Sequence, residues 1–219
     1  SAFLLNRSSD LQSYLCLVVS GGHSHIVKVN SYTELETVGK TTDDAAGEAF
    51  DKAARAMGFQ YPGGVHIDRA AKQGDAKKYK LPRPATKNPY DFSFSGLKTA
   101  VINLIHNNEQ KGIETDVNSL AASFQDTITS ILAEKFMAAA DELGYTKLAL
   151  AGGVAANSML RDKLSEMASA CGKQFYMPDI SLCGDNAAMI GCQGYYEYLA
   201  GNTADMSLNA YATKKLHML

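Results

Sequence analysis

Little in these 219 residues is extreme, and what is missing sets the first limits. Charge of one sign is missing: 21 Lys and Arg oppose 23 Asp and Glu, a formal net charge of -2. That balance gives no global sign of a nucleic-acid or membrane partner, although a local patch can still serve one. Long apolar runs are missing too. None reaches the roughly 20 residues needed to cross a bilayer, so no membrane partner is expected. Ser1 to Asp10 hold no apolar segment of a secretory signal. Cys16, Cys171, Cys183 and Cys192 form no CxxC pair and sit in or beside apolar stretches. This predicts buried reduced thiols rather than a disulfide framework or zinc site, and a cytoplasmic protein. His23, His25, 66, 106 and 217 include no pair at i, i+3 or i, i+4, and no HExxH occurs. A helical histidine chelate is therefore missing, and His23-x-His25 is feasible only on a strand. Position 1 is not Met, which predicts a trimmed fragment.

What is present is an α/β pattern. Residues 14–20 are apolar and β-branched and read as a buried strand. Strands are also expected at 25–29, 32–38, 147–151 and 175–177. Ser24 is expected in the turn between the first two. Thr42-Asp43-Asp44 offers N-cap chemistry for a helix whose small apolar face runs from Ala46 to Met57, with Gly58 as its stop. Tyr61-Pro62-Gly63-Gly64 reads as a turn, and residues 66–73 as a short helix. Residues 74–92 read as loop. Further helices are predicted at 95–107, from Asp116–Ser119 to Gly144 as a long amphipathic helix, at 157–170, and at 185–199 with Asp185 as its cap. The organisation expected is a leader or the remnant of a preceding segment over 1–13, one lobe over 14–200 and an extension over 201–219.

Two glycine turns stand at strand ends. Ser20-Gly21-Gly22-His23-Ser24 follows the first strand, and Gly152-Gly153-Val154 leads from the fourth into Asn157 and a helix. Such turns bring bare N–H groups to a phosphate. They also serve as plain hairpin or packing turns, and spacing alone leaves the two readings even. Asp43 and Asp44 read as capping residues. Asp51, one turn further in, is placed to accept ribose hydroxyls. Residues 69–87 carry Arg69, Lys72, Lys77, Lys78, Lys80, Arg83 and Lys87 against one acid, Asp75. That is either a solvated loop or an RNA-facing patch.

Six ordered segments, SGGHS, DDAAGEAFDKAAR, YPGG, DFSFSGLKTA, AGGVAANSMLR and GDNAAMI, resemble the TsaD/Gcp family over residues 14–200. These are the tRNA adenosine threonylcarbamoyltransferases, once labelled O-sialoglycoprotein endopeptidases. The resemblance implies an actin/sugar-kinase/Hsp70-like (ASKHA) α/β lobe, a mixed sheet with flanking helices. It implies transfer of a threonylcarbamoyl group from threonylcarbamoyl-adenylate to the tRNA adenosine beside the anticodon, with protein partners in that transfer complex. By motif, Val18, Val19, Ser20, Gly21 and Gly22 are expected at the adenylate phosphate and acyl part. Asp51 is expected at the ribose with Gly64 and Asp68 nearby, Asn157 at the nucleotide, and Asp185 as one ligand of a catalytic metal, iron or zinc. The family's His-x-x-x-His pair is missing. The chain thus resembles the C-terminal lobe alone, and is expected to be inactive by itself and not to retain the metal. Loss of a covering lobe predicts self-association, or disorder over 200–219. The alternatives are a nucleotide-binding or ATPase module that regulates a partner, and a metalloprotease, which no HExxH supports.

Overall fold

A computed structural model describes residues 13–209. All but one residue of the expected leader, and the last ten residues of the expected extension, lie outside the described residues. The apolar stretch after Ser13 forms β1 (Tyr14–Val19), which turns back antiparallel into β2 (Ser24–Val29). The next strand, β3 (Leu35–Lys40), starts later than the sequence pattern suggests. The Ser31 hydroxyl accepts from the Glu34 amide, and the Asn30 amide donates to the Glu34 carbonyl, so the turn holds those residues out of the strand. Ser24 is the first strand residue rather than a turn residue, and it is fully buried.

Helix α1 (Ala46–Ala56) follows, then α2 (Gly63–Ala71), which begins earlier than expected and takes in the glycines of the YPGG turn. An irregular strap leads to α3 (Ser95–Gln110), and α4 (Val117–Glu142) follows. Strand β4 (Lys147–Ala151) runs parallel to β1, α5 (Ser158–Ala170) returns, and β5 (Gln174–Tyr176) adds parallel to β4. The sheet order is β3-β2-β1-β4-β5, an antiparallel meander extended by two parallel strands. The parallel strands are joined by helical crossovers, as such pairing requires.

Alternation along β1 sends Leu15, Leu17 and Val19 into the main core, while Cys16 packs with Val27, Val29 and Ala149 on the other face. The main core is closed by α1, α2, α4 and α5, with Phe92, Phe94, Phe124 and Phe136 fully buried. Each such ring contributes about 1.5–3 kcal/mol through burial. The long helix α4 is not amphipathic as expected. Sixteen of its 26 residues are buried, and every residue from Ser119 to Gln125 is buried, because α2 and α5 pack on either side of it.

The strap over 72–94 carries no helix or strand, as expected of a loop, but it is tied to α4. Asp75 and Tyr79 donate backbone N–H groups to Ser119 and Ser123 of α4. Lys135 further along α4 donates to the Pro89 carbonyl at 2.9 Å. The last helix, α6 (Ala187–Leu199), has no buried residue. It is held by Tyr196 stacked on Tyr32 at 3.6 Å and by the Gln193 amide donating to the Tyr32 carbonyl. Ile190 and Tyr198 on it are 76% and 70% exposed. Of the cysteines, Cys16 and Cys183 are buried, Cys192 is half-buried, and Cys171 is exposed because it ends α5. Burial pushes the Cys16 thiol up to about 12, so it stays protonated and packs as an apolar group.

Candidate nucleotide site

Two candidate segments, the Ser20-Gly21-Gly22 turn and the Gly152 turn that leads to Asn157, meet at the C-terminal ends of the parallel pair β1 and β4. Val18 pairs with Ala151, so the Ser20-Gly21-Gly22 turn and Gly152 emerge side by side. Ligands of open α/β sheets occupy this edge. Val19 is fully buried and offers only its backbone. Ser20 closes the hairpin: its amide donates to the His23 carbonyl at 2.7 Å, and its hydroxyl accepts from the His23 amide at 3.1 Å and the Gly22 amide at 3.4 Å. Of the two glycine amides, Gly21 N–H is the one with no hydrogen bond among the described residues.

Gly21 and Gly22 adopt no left-handed conformation, and nothing lies within 4 Å of where their Cβ atoms would be. The backbone turn itself does not demand them; they leave open space in front of the hairpin. The glycines that close approach demands are elsewhere. A Cβ on Gly47 of α1 would lie 2.7 Å from the Ser20 carbonyl oxygen, to which the Gly47 amide donates at 3.1 Å. Gly152 has φ of 95°, and a Cβ there would collide with the Val19 carbonyl. These two contacts lock both turns onto each other and onto α1.

The acidic start of α1 works differently from the expected capping. The side chain that caps α1 comes from Ser24 of β2, whose hydroxyl accepts from the Ala46 amide at 2.8 Å. Asp43 instead caps α3, accepting from the Phe94 and Ser95 amides and from the Ser93 and Ser95 hydroxyls. Burial pushes its carboxyl up, but these bonds outweigh it and hold it below its ordinary value. Asp44 binds Lys52 and Lys98, each at 3.0 Å. Partial burial raises its carboxyl, and the two ammonium groups bring it below its ordinary value.

Asp51 accepts the Gly63 amide on Oδ1 at 2.8 Å, capping α2, and its Oδ2 makes no hydrogen bond among the described residues. Gly64 follows in the first turn of α2. Asp68 accepts on Oδ1 from Gln125 Nε2 at 3.0 Å and from the Ser158 hydroxyl at 2.7 Å, and its Oδ2 lies 3.3 Å from the Lys72 ammonium. Asn157 is 9% exposed. Its Oδ1 caps α5 at the Leu160 amide, and its Nδ2 donates to Gln125 Oε1 at 3.1 Å. Sequence reasoning missed Gln125 and Ser158. The available signal for Gln125 was an amide inside the apolar run of a helix.

Asp185 is set apart. The cap of α6 is Asn186, whose side chain accepts from the Met189 amide, so the expected capping by Asp185 is overturned. Asp185 is exposed, and no contact ties it to Asp51, Asp68 or Asn157. Among the described residues no three His, Cys, Asp or Glu side chains gather where they could hold a metal ion. The residues described here therefore do not fit a complete metal centre. His23 and His25 have ring centroids 5.4 Å apart. Burial, then the His23 and Lys40 charges, lower the His25 value, so it is neutral at neutral pH.

The basic segment is partly consumed. Lys72, Lys78 and Arg83 pair with Asp68, Asp116 and Glu134. Arg69, Lys77, Lys80 and Lys87 are exposed, with no ion pair among the described residues.

The family described as TsaD, tRNA N6-adenosine threonylcarbamoyltransferase, matches residues 2–192. A protein of that name from Clostridioides difficile (strain 630) is 47% identical over 205 residues, covering 93% of this chain and 61% of its own length. One from Synechococcus sp. (strain JA-3-3Ab) is 49% identical over 194 residues, covering 89% and 53%. The chain thus spans a little over half the length of these curated relatives. Among solved structures, full-length HypF in a phosphate- and nucleotide-bound form superposes with a TM-score of 0.64 at 13% identity, covering 86% of this chain and 33% of that one. HypF of T. kodakarensis superposes at 0.57 with 16% identity, covering 87% and 35%. At such identities the likeness shows a shared fold.

Proposed function

Because the chain belongs to the TsaD family of tRNA N6-adenosine threonylcarbamoyltransferases, we propose that it forms the nucleotide-holding side of an enzyme that builds threonylcarbamoyladenosine in tRNA. Its fold is the actin/sugar-kinase/Hsp70-like α/β lobe, a mixed five-stranded sheet packed with helices. The substrate that suits it is threonylcarbamoyl-adenylate, a mixed anhydride. The tRNA adenine amine attacks the carbamoyl carbonyl, the bond to the phosphate oxygen breaks, and AMP leaves with the electron pair.

The observation that carries this reading is the Ser20-Gly21-Gly22 turn beside Gly152 at one sheet edge, with Asn157 next along the chain and tied through Gln125 to Asp68. The free Gly21 N–H and the open space before Gly22 suit a phosphate. The free Oδ2 of Asp51 suits ribose hydroxyls. Val18 borders the same edge, and Gly64 lies in the first turn of the helix that Asp51 caps. The phosphate and nucleotide named for the HypF structure add support by analogy. Asp185 would be a single metal ligand. With the described residues forming no complete centre, no chemical step is assigned to a metal. Arg69, Lys77, Lys80 and Lys87 would meet tRNA phosphates.

The test is a transfer assay with unmodified tRNA and labelled threonylcarbamoyl-adenylate, using a protein that carries this chain at the length of its relatives. Labelled tRNA is the expected product. Nucleotide binding or hydrolysis with no labelled tRNA would replace this reading with that of a nucleotide-binding module.

A further inference from the structure

We propose that Gln125 is the positioning residue of the adenosine site, the amide that holds Asp68 on α2 and Asn157 before α5 in binding register. The inference rests on the functional reading above. Gln125 sits on α4, the buried helix between the other two, and is 1% exposed. It cannot touch a ligand directly. Its head group spans the two candidate residues: Oε1 accepts from Asn157 at 3.1 Å, and Nε2 donates to Asp68 at 3.0 Å.

The direction of this chain of hydrogen bonds is forced at each link. The Leu160 amide can only donate, so Asn157 turns its oxygen towards it and its NH2 towards Gln125. Gln125 must then present oxygen to Asn157 and NH2 to Asp68. An ionised Asp68 can only accept, and it also takes the Ser158 hydroxyl and faces Lys72. A flipped amide would oppose donor to donor at one end and oxygen to oxygen at the other. The orientation of Asp68 is thereby coupled to the cap of α5, and three helices share one polar lock. Asp68 and Asn157 each keep part of their capacity: among the described residues, Asn157 retains its second amide hydrogen and Asp68 Oδ2 has only the long Lys72 contact.

The experiment uses Gln125→Leu, Gln125→Glu, Asp68→Asn and the double variant Gln125→Glu with Asp68→Asn. Leucine removes both bonds. Glutamate still accepts from Asn157 but sets a second carboxylate against Asp68. In the double variant the amide introduced at position 68 donates to the carboxylate introduced at position 125, which restores the lock with its second bond reversed. Two readouts are taken on a protein that carries this chain at the length of its relatives: ATP and AMP affinity by calorimetry, and hydrogen exchange at the Leu160 amide. Loss of a buried hydrogen bond of this kind is expected to weaken nucleotide binding by about tenfold or more in Gln125→Leu and Gln125→Glu. Leu160 exchange should quicken in both. The double variant should recover most of the Leu160 protection relative to Gln125→Glu, and should bind nucleotide no more weakly than Asp68→Asn, which carries the same change at the ligand-facing position.

Nucleotide affinity unchanged in Gln125→Leu overturns the proposal, as does failure of the double variant to improve on Gln125→Glu in Leu160 exchange. A protein of that length that binds no adenosine nucleotide in its unaltered form defeats the functional reading, and the proposal with it as a statement about that site. Leu160 exchange still reports whether the lock itself operates. Thermal melts of all variants accompany the titrations. Binding is measured well below every melting temperature, where all variants are folded; an affinity loss accompanied by faster Leu160 exchange that the swap restores marks positioning, and an affinity loss with Leu160 exchange unchanged overturns it.

Discussion

Replacing Gly47 by Ala tests how the hairpin tip is held. In an ordinary helix this change is favourable, because Ala exceeds Gly in helix propensity by about 0.8–1 kcal/mol in the interior and by less near an end. Gly47 is the second residue of α1, and its neighbour across the contact is backbone, not a flexible side chain. The added Cβ would lie 2.7 Å from the Ser20 oxygen and 2.9 Å from both N and Cα of Gly21. The turn must retreat by about 0.7 Å to reach ordinary contact, and overpacking of that kind costs about 1–3 kcal/mol. Retreat also stretches the Gly47 to Ser20 hydrogen bond, worth about 0.5–1.5 kcal/mol net. The expected balance is a loss of about 1–2 kcal/mol, a fall in melting temperature of about 2–8 °C for a chain this size. Gly96 is the matched control. It is the second residue of α3, and a Cβ there meets only Pro84 Cγ at 3.6 Å, an ordinary contact. Gly96→Ala should therefore stabilise slightly. Urea denaturation of both variants, compared by midpoint at constant slope, decides the matter. Gly47→Ala as stable as the unaltered chain, or Gly96→Ala the more damaging of the two, would refute the argument.

Other outcomes follow from the same contacts. Gly152→Ala should yield little folded protein, because its left-handed backbone and the Val19 carbonyl both exclude a side chain; soluble expression with cooperative melting checks this. Asn186→Ala should cost about 0.5–2 kcal/mol as a lost cap, whereas Asp185→Ala should leave stability unchanged, a contrast that thermal melts resolve. Asp43 and Asp44 have folded values below their ordinary 3.8, so their stabilising effect is present above that value and is lost as pH falls through the folded ones. An acid titration of stability should show this loss, and Asp43→Asn should be destabilised at neutral pH while losing less in acid. Neutralising Arg69, Lys77, Lys80 and Lys87 together should weaken tRNA binding evenly across sequences and flatten its salt dependence, measured by anisotropy between low and moderate salt.

From the residues alone came the order of strands and helices, the strand-ending glycine turns and the family resemblance. Those features are local: β-branched runs, helical spacing of small apolar residues, and stops such as Gly58 are written in neighbouring positions. Which partner each polar side chain takes is not local, and only the packed fold decided it. Asp43 looked like the cap of the helix beside it and caps α3 about 50 residues on, while Ser24 from β2 takes its place on α1. Gly21 and Gly22 looked like the glycines that permit the turn, yet at this edge it is Gly47 and Gly152 whose close backbone contacts exclude a side chain. Gln125 gave no motif at all. A buried amide needs partners wherever the helices bring them, and here α2 and α5 bring Asp68 and Asn157 to it. The sequence named the family and marked the candidate residues, and the long-range hydrogen bonds determined how those residues are held.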